Sequence, residues 1–157
     1  MPRWSRNRGA FQLQERSIIA EMWWDRFGIA RNIFDSYSFY RQARNIWAFS
    51  NATLPKFSFE AVGLRMMNFK EKPWKPTTSA LQVFGKYATR NFISLDEKEA
   101  RCFLAGESQS QEGNVEPGYI VVFYKEEVLG CALYSKGILH SQLPKELRIG
   151  HEEEMKM

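Results

Sequence analysis

Cysteine and histidine are scarce in this chain, two of each in 157 residues, and neither pair has a spacing that chemistry uses. Cys102 and Cys131 lie far apart in sequence, without the paired spacing of a zinc or redox motif, so both are expected to be buried free thiols. His140 and His151 stand apart without metal-ligand spacing, and no metal site is expected. Glycines are dispersed, with no G-x-G-x-x-G or P-loop pattern, so no cofactor is implied. No apolar run approaches the roughly 20 residues needed to cross a bilayer. Arg3, Arg6 and Arg8 are not followed by the hydrophobic stretch of a secretory leader. These absences predict a cytoplasmic protein with no membrane partner. The carboxylates fall at helix starts, in hairpin loops and in the tail, where capping and solubility account for them without acid–base catalysis. The chain is expected not to be an enzyme, with no catalytic residues.

What is present is a core and an uneven charge. Apolar residues make up 44% and aromatics 15% of the chain, ample for packed structure. Residues 1–95 hold 15 Lys or Arg against 6 Asp or Glu, whereas residues 96–157 hold 7 against 12. The front is therefore net +9 and the back net −5. A basic surface of this kind suits nucleic acid, because neutralised phosphates release condensed counterions. The alternative is an ordinary solvated surface.

Periodicity divides the chain into four parts. Residues 1–11, with three arginines and no apolar period, read as a mobile basic arm. Residues 12–91 read as an α/β domain. Its helix spans Glu15 to Phe27, with Ile18, Ile19, Met22, Trp23 and Phe27 at helical spacing and Gly28 past the end. Trp23 and Trp24 adjoin, so one packs inside and the other sits at the margin. A helical turn over Arg31 to Phe34 precedes a hairpin of Tyr37 to Tyr40 and Asn45 to Ser50. After an Asn51 to Pro55 turn comes a strand over Ala61 to Phe69, with Leu64 and Met66 on one face opposite Arg65. The prolines in Lys70 to Pro76 forbid a regular helix there. Ser79 to Tyr87 forms the next helix, with Ser79 and Gln82 as a capping pair and Leu81, Phe84 and Ala88 as its buried stripe. A boundary near Asn91 with a short connection predicts close packing of the two halves.

Residues 92–150 read as a compact β-rich domain with one short helix, and 151–157 as a solvated acidic tail. Phe92 to Leu95 is a strand, Asp96 and Glu99 form a capping box, and Ala100, Phe103 and Leu104 bury one helix face before Gly106 ends it. Strands over Tyr119 to Tyr124 and Val128 to Tyr134 follow, joined by Lys125-Glu126-Glu127. This order, with "FLAGE" and then "GYIVVFYKEEVLGCALYSKGILHSQLPKELR", resembles the PUA domain, a small pseudo-barrel of RNA-modifying enzymes and ribosome-assembly proteins. It is most similar to the PUA-like tails of archaeal Sun-type RNA cytosine-5 methyltransferases. Gly130, Gly137, Leu143, Pro144, Lys145 and Arg148 occupy the places of that family's "lG.a" strand, glycine turn and "lPk.lR" ending. "WWDRFGIARNIFDSYSFY" and "KPTTSALQVFGKYATRN" resemble the α/β segment that precedes such domains. The expected fold class is α+β, a helix on a small antiparallel sheet followed by a PUA-like pseudo-barrel. The methyltransferases' glycine-rich loop and their catalytic cysteines after Pro or Thr have no match here, so the resemblance implies docking without catalysis.

Two groups of residues are candidates for RNA contact. Lys70, Lys72, Lys75 and Thr77 surround a helix start, where lysines and backbone N–H groups receive phosphates. Trp74 among them either stacks on an unpaired base or plugs the junction between the halves. The PUA resemblance implies a second face of Lys98, Arg101, Gly106, Lys136, Lys145 and Arg148. Glu97, Glu99, Glu107 and Glu112 crowd that face and would repel phosphate. The expectation is a non-catalytic protein engaging structured tRNA or rRNA, in RNA modification or ribosome biogenesis. The alternative is a protein-interaction subunit that positions an RNA-modification enzyme or ribosome-assembly factor.

Overall fold

The computed structural model describes residues 11–51 and 63–149. The expected basic arm apart from Phe11, most of the Asn51 to Pro55 turn, the start of the Ala61 to Phe69 strand and the acidic tail lie outside the described residues.

The chain first forms β1 (Gln12–Gln14), α1 (Arg16–Phe27), a 3-10 turn (Arg31–Phe34), β2 (Tyr37–Gln42), β3 (Asn45–Ser50), β4 (Leu64–Asn68) and β5 (Lys75–Pro76). The strands pair antiparallel in sequence order as one sheet. Then come α2 (Thr78–Phe84), a 3-10 turn (Gly85–Tyr87), β6 (Phe92–Leu95), α3 (Glu97–Leu104), β7 (Ser108–Ser110), β8 (Gly118–Tyr124), β9 (Glu127–Ser135) and β10 (Ile138–Ser141). The second sheet has the order β6-β8-β9-β10-β7, with β6 parallel to β8 and the other pairs antiparallel. α3 touches both of its edge strands, β6 and β7, and so bridges the ends of a curled sheet. The architecture is α+β, a small antiparallel sheet with its helix followed by a curled, PUA-like sheet.

α1 forms where expected, and Gly28 ends it in the left-handed conformation, φ 64°. Ile19, Ala20, Trp23 and Phe27 are buried. Ile18 is not: it is 48% exposed, because the sheet covers only one flank of the helix. α2 departs further from expectation. Its cap is Thr77, whose Oγ1 accepts from the Ala80 N–H at 3.0 Å, and not Ser79. Pairing of β5 with β4 decides this, since the Thr77 N–H donates to the Met66 carbonyl at 3.0 Å and halts the strand there. Gln82 instead reaches across to the Leu129 carbonyl. In β4, Met66 and Met67 are both buried, an exception to strict alternation that matches an irregularity in β3 between Ile46 and Trp47. The Asp96–Glu99 capping box forms as expected, with both of its reciprocal hydrogen bonds present.

Two cores result, and one sheet serves both. The first gathers Ile19, Trp23, Phe27, Phe34, Phe39, Met66, Met67, Leu81 and Phe84, and it also takes Val121 and Cys131 from the second sheet. The other holds Ile93, Leu95, Phe103, Ile120, Val122, Ala132, Leu139 and Leu143. Alternation along β8 and β9 thus sends neighbouring side chains into different cores.

The hinge between them is tight. Asn91, 4% exposed with φ 58°, donates from Nδ2 to the Arg26 carbonyl at 2.6 Å and accepts on Oδ1 from the Glu116 N–H at 2.9 Å. A Cβ on Gly28 would stand 2.0 Å from Thr89 Oγ1, the hydroxyl that donates to the Gly28 carbonyl. Gly28→Ala is expected to cost about 2–3 kcal/mol, the left-handed penalty plus one lost hydrogen bond. Denaturant titration checks this, and a variant as stable as the parent would show that the joint yields freely.

Candidate nucleic-acid interface

Much of the positive charge at the front serves the fold. Arg26 is 18% exposed at its side chain; it donates from Nε to the Tyr119 carbonyl and from Nη2 to the Glu116 carbonyl, both at 2.9 Å. Burial lowers its pKa, and the Glu116 carboxylate at 3.5 Å opposes that shift. Arg31 pairs with Glu21 through two 2.9 Å contacts, which lower the carboxyl pKa and raise that of the guanidinium. Arg31 and Arg90 also flank the Trp24 ring at 4.9 and 5.2 Å. Arg90 donates to the Asp25 and Trp24 carbonyls at the end of α1. Arg16 donates to the Asp35 carbonyl.

A different set of cations remains around a polar cleft of about 230 Å³ at the junction of the two sheets. Asn45 and Arg65 come from β3 and β4, Asn68 ends β4, Glu71 lines the cleft from the loop that follows, Lys75 and Pro76 are β5, and Thr77 to Ser79 open α2. Gln142 and Pro144 close it from the other half. Lys75 donates from Nζ to Gln142 Oε1 at 3.0 Å and lies over the Tyr119 ring at 5.6 Å. The loop beside it is braced. Asn68 Oδ1 accepts from the Lys70 and Glu71 N–H groups, and the Glu71 carboxylate accepts from Asn68 Nδ2 and the Tyr119 hydroxyl. Burial, with the Glu71 charge adding to it, pushes the Tyr119 hydroxyl up to about 12, so it remains a donor at neutral pH. Lys70 and Lys72 project from this loop into solvent. Lys70 and Arg41 both approach the Phe69 ring, at 5.2 and 5.7 Å.

The candidate residues fall into two groups and one outlier. Lys75 and Thr77 line the cleft, and Lys70 and Lys72 stand exposed on the loop between β4 and β5. Thr77 Oγ1 is engaged twice, accepting from Ala80 and donating to the Arg65 carbonyl at 2.5 Å. Trp74 lies 5.3 Å from the Trp23 ring and 5.8 Å from Phe27, against the first core. Lys98 and Arg101 are exposed on α3, where Arg101 pairs with Glu97 at 3.2 Å. Gly106 has φ 83°, and a Cβ there would meet Arg148 Cδ at 2.6 Å, so the close approach that this glycine permits is made by Arg148. Arg148 donates from Nε to the Leu143 carbonyl at 2.9 Å, and the Ile149 N–H donates to the Leu104 carbonyl at 2.8 Å. Residues 142–149 therefore run from the cleft to the carboxyl end of α3, with Lys145 midway. Lys136 stands apart, in the β9–β10 turn, about 20 Å along the strand from Gly130.

Glu99 is turned to structural use, accepting from the Asp96 N–H and from Gln111 Nε2. Glu97 and Glu99, among the carboxylates that crowd α3 and its loop, are thus paired or capping. Asn45, Asn68, Ser79 and Gln142 complete the cleft but carry no local signal in the sequence, because Gln142 reaches Lys75 from 67 positions away.

Nucleophilic chemistry finds little support among the described residues. Cys131 is enclosed, and burial pushes its thiol up to about 12. Burial raises that of Cys102, and Glu107 adds to the rise. No three His, Cys, Asp or Glu side chains among the described residues are grouped to hold a metal ion. No helix among them is long and apolar enough to cross a membrane.

A family model described as the Methyltransferase RsmF PUA domain matches residues 90–149, the span of the curled sheet, α3 and the segment after β10. This chain carries a PUA domain like that of the Sun-type methyltransferases. Ahead of the PUA domain, a family of unknown function (DUF7122) matches residues 1–63. The chain is 26% identical over 92 residues to the Ribosomal RNA small subunit methyltransferase F of Aeromonas salmonicida, covering 59% of this chain and 19% of that protein. It is 25% identical over 109 residues to the protein of the same name from Aeromonas hydrophila, covering 68% of this chain and 23% of that one. The chain thus spans about a fifth of the length of the curated relatives that it matches.

Proposed function

We propose that this protein binds structured RNA, rRNA or tRNA, as a non-catalytic module of cytoplasmic RNA modification or ribosome biogenesis. One observation carries the reading. Residues 142–149 run from the cleft at Lys75 to the carboxyl end of the PUA domain's helix, which supports a single track of Lys70, Lys72, Lys75, Lys145, Arg148, Arg101 and Lys98 for the RNA. Phosphates along an RNA strand meet these cations in turn, while Trp74, Thr77 and Gly106 hold the track's shape from behind. Lys136 contacts a more distant part of a large RNA. The names of the Aeromonas relatives support ribosomal RNA as the class. Residues 12–91 and 92–150 act together, with Asn91 as the boundary.

Counterion release tests the reading. For a duplex, the logarithm of the association constant falls by about 0.9 per phosphate contact for each tenfold rise in salt, and by about 0.7 for a single strand. Labelled rRNA fragments titrated at increasing salt should therefore give a slope of about −3 to −6. An affinity that does not change between low and physiological salt excludes this mode of binding. A protein partner that survives nuclease treatment while RNA affinity is absent would favour a protein-docking role.

A further inference from the structure

The outer face of the first sheet carries a cluster of aromatic rings that neither core uses. Cross-strand register places Leu13, Tyr40, Trp47 and Arg65 in one row over β1 to β4, with Ser38 and Phe49 in the next. Directly opposed residues share a face, so these side chains point away from α1. Phe11 stands edge-on to three of them, with centroids 6.5 Å from Tyr40, 5.9 Å from Trp47 and 5.7 Å from Phe49. Tyr40 and Phe49 meet at 5.6 Å. None of the four belongs to either hydrophobic core, and Phe11 is 43% exposed. A groove of about 380 Å³ opens between Phe11, Tyr40 and Phe49, with Ser38 and Asn51 at its polar end. The indole N–H of Trp47, on the same face, is buried without a partner among the described residues.

Charge selects the occupant. Residues 37–79 hold seven Lys or Arg and two Glu, and among the described residues no carboxylate lines the groove. Arg65 sits opposite Trp47 in the row and also lines the cleft with Lys75, so the aromatic row reaches the cleft through Arg65. From Phe49 to Asn45 is about 13 Å along β3. We infer that this groove holds an unpaired base of single-stranded RNA, stacked on Tyr40, Phe49 and Phe11, while the adjoining phosphates enter the cleft at Arg65 and Lys75. Aromatic faces accept any base, so selection falls on unpaired segments over duplex, with Ser38 and Asn51 meeting the base edge.

The inference rests on the RNA-binding reading, and one experiment separates the two. The full chain is titrated with a short single-stranded RNA of mixed sequence carrying 2-aminopurine, and with the same strand annealed to its complement. The parent protein should quench the 2-aminopurine. Phe11→Leu and Tyr40→Leu, each changing a ring outside both cores, should each lower affinity for the single strand by about 5-fold or more and abolish quenching. Their salt slope and duplex affinity should not change, and circular dichroism should match the parent's. Salt-dependent RNA binding with affinity and quenching unaltered in both variants overturns the groove and leaves the RNA reading standing. If the parent binds neither probe, both fall. Loss of a co-purifying protein from the variants, with RNA affinity kept, would assign the groove to a peptide and overturn the inference.

Discussion

Trp23→Ala should lower the unfolding free energy by about 3–5 kcal/mol, the range for deleting a large buried aromatic. Trp23 is fully buried, and its ring lies within 6.3 Å of Phe27, Phe34, Trp74 and Phe84, drawn from α1, the turn after it, the lysine loop and α2. Its indole N–H points to the Met67 sulfur at 3.4 Å in β4. One side chain thus joins α1, the turn after it, the lysine loop, α2 and β4. Domains of this size lose about 2–4 °C in melting temperature per kcal/mol, so a drop of roughly 6–20 °C is expected. Trp24→Ala is the control, since that ring is half-buried and held by two arginines. Cation–π contacts at exposed sites are worth about 0.5–1 kcal/mol each, so its loss should be near 1–2 kcal/mol. Equal melting shifts for the two variants would refute the assignment of Trp23 as the hub.

Replacing Lys70, Lys72 and Lys75 together by alanine should weaken RNA binding roughly 100-fold at physiological salt. Each lost phosphate contact removes about 0.7–0.9 from the salt slope, so the slope should become shallower by about 2–3. Stability should hardly move. Lys70 and Lys72 are exposed, and Lys75 forfeits a hydrogen bond to Gln142 worth about 1 kcal/mol. An unchanged affinity would remove the cleft from the interface even if the PUA domain still binds. The same slope with lower affinity would mean that the lysines shape the surface without meeting phosphates.

Elements with strong local chemistry were legible in the sequence. The α1 stripe with Gly28, the Asp96–Glu99 box and the apolar runs of β8 and β9 declare themselves within a few residues. β1, β7 and β10 did not, because Gln-Leu-Gln, Ser-Gln-Ser and Ile-Leu-His-Ser are too short for an alternating pattern, and pairing with a neighbour alone makes them strands. The cap of α2 was misplaced for a related reason. Thr77, Thr78 and Ser79 offer three hydroxyls in a row, and only the β4–β5 pairing selects the first. Charge in the front half was visible as a total but not as a surface. Which arginines close helix ends, as Arg90 does, and which stay in solvent depends on contacts up to 93 positions apart, such as Arg26 with Tyr119. The aromatic groove was hidden likewise, since Tyr40, Trp47 and Phe49 read as ordinary strand residues until register puts them on the outer face.

Val121 and Cys131 face the first core while their neighbours Ile120, Val122 and Ala132 face the second. A gene rearrangement that carried off only the carboxyl-terminal piece would strip one side of its sheet of cover and leave those side chains wet. The two recognisable sequence families, over residues 1–63 and 90–149, are therefore expected to be inherited as one cassette, recombining as a pair, because the boundary at residue 90 runs through shared oil.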